Sequence, residues 1–123
     1  MREIKFRRVH FFDEEKTQFS HFSYWGVGIN QTSFTSPSTN NFALYYTDEQ
    51  FTGLKDKNSV EIFEDDIMKW PNQDEVGVIE YDINGCQFRI KSTNHSCHIG
   101  LNIGKKGQAV VIGNIHENPE LLK

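Results

Sequence analysis

Residues Val76–Lys91, VGVIEYDINGCQFRIK, decide how this chain folds. The pair Asn84-Gly85 separates two runs in which apolar and polar residues alternate. An Asn-Gly pair in that setting predicts a two-residue hairpin with a type I′ turn, because both central residues tolerate φ > 0 and the turn's twist matches that of the strands. Bending the chain there sets Ile83 opposite Cys86, Tyr81 opposite Phe88 and Ile79 opposite Ile90 on one apolar face. The other face pairs Asp82 with Gln87, Glu80 with Arg89 and Val78 with Lys91, and so gains one opposite-charge pair. A slip of one residue would turn the apolar set into water, so the register is strongly specified. Two strands alone are marginal in water, and the oily face calls for further strands to cover it.

Upstream, FTGLKDKNSVEIFEDDIMKW (residues 51–70) reads as a succession of corners. A tight turn at Asp56–Ser59 leads into an extended piece at Val60–Phe63. An acidic corner, Glu64, Asp65 and Asp66, follows, and a strand then ends at Pro71. The opening MREIKFRRVHFF is expected to be a first strand, and Arg2, Lys5, Arg7 and Arg8 make it the most basic patch of the chain. That patch can be a strand face answered by acids elsewhere, or a groove for phosphate or an acidic partner. Phe19–Trp25 is expected to be a second strand, with His21 an ordinary strand residue, and Phe42–Tyr46 a third. Between them, residues 26–41 are rich in Ser, Thr, Asn and Gly and form a polar loop.

Downstream, His95, Cys97 and His98 come closest to a metal cluster, but zinc asks for about four ligands, usually in two pairs, and no second pair is spaced to complete the set. GLNIGKK (residues 100–106) lacks the spacing of a phosphate loop, so a strand at Ile99–Ile103 and a turn at Gly104–Gly107 are expected instead. QAVVIGNI (residues 108–115) reads as a buried closing strand. Beyond it, Asn118 can cap a short helical turn that starts at Pro119. Leu121 and Leu122 would then cover the open end of a barrel or meet a neighbouring subunit.

The 123 residues suit one domain able to bury roughly two-thirds of its unfolded surface. Ten Phe, four Tyr and two Trp lean the composition towards β structure. A net charge of −4 argues against broad, non-specific nucleic-acid binding. No apolar run approaches the roughly 18–20 residues of a membrane span, and a secretory signal is not expected, since no apolar core follows the charged start MREIKFRR. Two cysteines, Cys86 and Cys97, are too few for a disulfide framework and are expected to be reduced.

The string FTGLKDKNSVEIFEDDIMKW, the GVIEYD after it, the ending VIGNIHENPELL and the start MREIKFR together resemble the YopX family of phage and prophage proteins. Relatives in that family tend to carry Gly where this chain has Ser59 and Asp65, and an aromatic residue where it has His116. Either those two corners differ here or they do not require φ > 0. The resemblance implies a compact, mainly β viral protein of the host cytoplasm and carries no activity to individual residues.

The expected architecture is therefore mainly β: one domain of six to eight short strands in a small, partly open barrel (SH3-like or YopX-like), with one or two helical turns. The expected function is a non-enzymatic module that binds or self-assembles, working as a homo-oligomer or with a host or phage protein, without cofactor or membrane. One alternative is nucleic-acid binding through Arg2, Lys5, Arg7 and Arg8 beside Phe6 and Phe11. Another is a divalent-metal hydrolase built on Glu61, Glu64, Asp65 and Asp66, although neighbours in extended chain point to opposite faces.

Overall fold

The computed structural model describes residues 4–27, 45–71, 75–92, 96–98 and 109–122. Arg2, nearly all of the expected polar loop, His95, the expected strand at 99–103 and the turn at 104–107 lie outside the described residues, as do the side chains of Cys97 and His98. The chain is mainly β. Its strands are β1 (Ile4–Phe11), β2 (Phe19–Val27), β3 (Tyr45–Lys55), β4 (Glu61–Phe63), β5 (Asp66–Lys69), β6 (Val76–Asp82), β7 (Gln87–Lys91), β8 (Ser96–His98) and β9 (Val110–Asn114). Among the described residues, a short 3-10 helix spans Pro119–Leu122. Among the described residues the strands form two sheets, ordered β2-β1-β3-β4 and β8-β7-β6-β5-β9, and neither closes into a barrel. The chain divides into two compact units, Met1–Gly53 and Leu54–Lys123.

In the first unit β1 lies between β2 and β3, antiparallel to both. The turn from β1 to β2 is built on Asp13. Its carboxylate accepts hydrogen bonds from the backbone N–H of Thr17 and Gln18, at 2.9 and 2.8 Å, and from the Thr17 hydroxyl. That hydroxyl above all, aided by the backbone donors, holds the Asp13 carboxyl below its ordinary pKa. The expected third strand proves to be the start of the eleven-residue β3, which runs straight through Thr47-Asp48-Glu49-Gln50. Those acids look like turn chemistry in isolation. They sit in a strand because Arg8 and Arg7 stand directly across from Asp48 and Glu49.

The second unit holds the central hairpin in the expected register, with Ile79 opposite Ile90, Tyr81 opposite Phe88 and Asp82 opposite Gln87. Its turn corrects the sequence expectation. The residue with positive φ is Cys86 at 53°, and neither Asn84 nor Gly85 adopts such a φ. The connection is thus a four-residue loop, Ile83–Cys86, with Asn84 N–H donating to Asp82 Oδ1 at 3.1 Å. A left-handed residue that closes a longer hairpin loop fits the connection to the strands' twist, as a type I′ pair would otherwise do.

Ile62, Met68, Ile79, Ile90 and Ala109 form the buried core of this unit, with Leu54, Trp70, Phe88 and Val111 packed against it. The chain reaches that core through the corners read in the sequence. Asp56 is 4% exposed, and its carboxylate accepts N–H groups from Asn58 (2.8 Å), Val60 (3.0 Å) and Val111 (3.0 Å). Asp66 is buried and accepts the Phe63 N–H at 2.8 Å. Ser59 and Asp65 have φ of 65° and 67°, so both corners do use the left-handed region.

Strand β9 departs from the expected buried strand. Among the described residues it is an edge strand paired only to β5, with a bulge that leaves Ile112 without a register partner and 37% exposed. The Asp56 carboxylate covers its Val111 N–H, and bulges and acidic covers of this kind discourage edge-to-edge pairing. The turn after β9 is organised by Asn114, whose Oδ1 accepts the N–H groups of His116 and Glu117. Asn118, expected to cap the helical turn with its side chain, instead reaches back to accept Asn114 N–H at 3.3 Å. Gly113 makes room for it, since a Cβ there would lie 2.4 Å from Asn118 Oδ1.

Candidate functional site: the outer half of the central hairpin

The apolar face of the hairpin starts inside the molecule and ends outside it. Ile79 and Ile90 are fully buried. One pair further out, Tyr81 and Phe88 meet edge to face, with ring centroids 5.1 Å apart, and Tyr81 is 45% exposed. At the tip, Ile83 is 78% exposed and Cys86 carries an exposed free thiol that donates to Ile83 O at 3.7 Å. The expected apolar pairing of Ile83 with Cys86 therefore sits in solvent. The reason is length, because the four-residue loop lies beyond the last ladder pair, Asp82–Gln87.

Charges of both signs flank this stripe on the opposite hairpin face. Arg89 Nη2 lies 2.5 Å from Glu80 Oε1, and Arg89 Nη1 lies 3.8 Å from Asp82 Oδ2. An exposed aromatic and aliphatic strip thus runs along one face of the hairpin, and the ion-paired residues lie on the other.

The basic residues of the first strand are placed quite differently. Arg7 and Arg8 are 5% and 6% exposed, on opposite faces of the central strand β1. Arg7 Nε and Nη2 converge on Glu49 Oε1 at 2.8 and 2.7 Å, while its guanidinium stacks over Phe22 at 4.5 Å. Arg8 grips Asp48 with two bonds, Nε to Oδ1 at 2.8 Å and Nη2 to Oδ2 at 3.0 Å, and lies over Tyr46 at 3.9 Å and Trp25 at 5.5 Å. Lys5 Nζ sits 5.4 Å from the Phe51 ring centre. The structure thus turns the arginines of the sequence patch towards acids and aromatic rings of their own sheet.

Burial by itself pushes the Asp48 carboxyl up. Hydrogen bonds from Arg8 and Trp25, together with the Arg8 charge, outweigh that and hold it below its ordinary value. The same hydrogen bond raises Arg8.

Next to this pair lies an arrangement that sequence reasoning missed. His10 and His21 stack in parallel with centroids 4.2 Å apart, His10 Nε2 meets Ser23 Oγ at 2.7 Å, and His21 Nδ1 meets Ser20 Oγ at 2.9 Å. The signal available was the β1–β2 register, which sets His10 opposite His21 once the turn at Asp13 is placed. At the acidic corner, Glu64 and Asp65 form the turn, and Asp66 points inward to Phe63.

No helix among the described residues is long and apolar enough to cross a membrane. A family model described as YopX protein matches residues 5–123. Among solved structures, the crystal structure of protein EF1440 from Enterococcus faecalis is similar to this chain. It has a TM-score of 0.54 and 29% sequence identity, over 98% of this chain and 98% of that one. None of the curated proteins compared matches the chain.

Proposed function

This chain belongs to the YopX family, and on that footing we propose that it is a non-enzymatic binding module that associates with a second copy of itself through the outer half of its central hairpin. The observation that carries the reading is the apolar stripe running from buried Ile79 and Ile90 through Tyr81 to Ile83, which is 78% exposed. A two-fold pairing brings one patch onto the same patch of a copy, and an apolar stripe such as Tyr81 and Ile83 is complementary to itself without any charge pairing. The family also supports a phage or prophage protein acting in the host cytoplasm.

Light scattering across a range of concentrations tests the association, with Ile83→Lys as the variant. The wild type is expected to exceed the 14.3 kDa of one chain at micromolar concentration, and the variant to return to it with an unchanged melting temperature. A wild type that stays at the mass of one chain throughout would overturn self-association.

A further inference from the structure

The second unit carries an open cleft of about 410 Å³ lined by Lys57, Asn58, Lys69, Trp70, Pro71 and Val110. That volume lies within the roughly 300–1,000 Å³ typical of small-molecule sites. The chemistry of its wall departs from that of the chain. Asp and Glu outnumber Lys and Arg by 17 to 13 overall, yet the described lining residues include two lysines and no acid. The two cations come from separate elements, Lys57 from the turn after β3 and Lys69 from the end of β5.

Both supports are firmly held. Asp56 binds the N–H groups of Asn58, Val60 and Val111, which fixes the Lys57–Asn58 turn beside the β9 residue Val110. Trp70 is packed against the buried core and also forms part of the cleft wall, which puts an aromatic ring at the site.

We propose that this cleft binds a nucleotide, a planar base joined to a phosphate. The base lies along Trp70 and Pro71, the phosphate sits between Lys57 and Lys69, and the Asn58 amide hydrogen-bonds the base or sugar. Indole faces stack on any base, and lysine ammonium groups serve phosphate as compact point charges. Neither half of the wall would be distinctive alone. It is the ring and the two cations lining one cleft that select a ligand with both features. This site shares no residue with the hairpin tip and does not rest on self-association.

The test uses the full chain carrying Trp25→Phe, so that Trp70 alone reports by its fluorescence. Adenosine 5′-monophosphate is expected to give a saturable change, with adenosine and inorganic phosphate each at least about tenfold weaker. Lys57→Gln and Lys69→Gln should each weaken the monophosphate about tenfold without altering thermal melting. A short single-stranded oligodeoxyadenylate that binds more tightly than the monophosphate would identify a strand as the source of the base and phosphate. Weaker or equal binding would identify the free nucleotide. Three results would overturn the proposal: no saturable response to either probe, a response unchanged in the double Lys57→Gln/Lys69→Gln variant, or phosphate alone binding as tightly as the monophosphate.

Discussion

Cys86 and Ser59 hold φ at 53° and 65°, where a side chain crowds the following carbonyl and glycine does not. Cys86→Gly and Ser59→Gly are each expected to stabilise the protein by about 1 kcal/mol, less the extra entropy glycine loses on folding. Urea titration checks this as a higher midpoint with an unchanged slope. Ser59 and Asp65 also show how far single residues could be read. The family's preference for Gly at both positions left two possibilities, altered corners or corners that tolerate other φ values. The backbone matches neither: both corners keep the left-handed geometry and accept Ser and Asp in it. Cys86 could not be foreseen in this way, because the Asn-Gly pair beside it offered a stronger local signal for the same role.

Among the elements, β1 shows most clearly how tertiary pairing overrides a local reading. Four basic residues in one opening stretch look like a charged face, yet Arg7 and Arg8 become interior once Glu49 and Asp48 stand across from them. Nothing near residue 7 in the sequence names an acid 42 positions away, so the partner was invisible while the strand itself was legible. Arg7→Leu is expected to cost about 3–5 kcal/mol, since it takes away the guanidinium that lies 2.7 Å from the buried Glu49 carboxylate. Arg7→Leu/Glu49→Leu should recover most of that loss, and denaturant melts of the three variants complete the cycle. Asp48 gives the pH prediction. A carboxyl whose folded pKa is depressed stabilises the fold above its unfolded value, near 4, and that contribution disappears as pH falls through the lower folded value. Melting temperature should therefore drop on acidification below about pH 4, and Asp48→Asn should be less stable at neutral pH and flatter across that window.

At the scale of the whole molecule, the period-two alternation of Val76–Lys91 gave both the ladder and its register, and the corners at residues 56–71 were placed by their turn chemistry. The closing strand was misjudged for a physical reason. An apolar run looks buried on both sides, but β9 sits at a sheet end and a bulge turns Ile112 outward. The cleft escaped notice because Lys57 and Lys69 are brought together by folding and not by spacing. One consequence follows from the Asp56 side chain, which reaches across 55 positions to a backbone hydrogen near the far end of the chain. Amide protons at a sheet border ordinarily trade with deuterium within moments, whereas that of Val111 is clamped by a carboxylate shut away from water. It should persist like one from the deepest β6 and β7 positions, and Asp56→Ala should release it while leaving the Ile79 and Ile90 amides slow. Time-resolved deuterium uptake followed by NMR would reveal whether a single acid makes the rim of this sheet as long-lived as its middle.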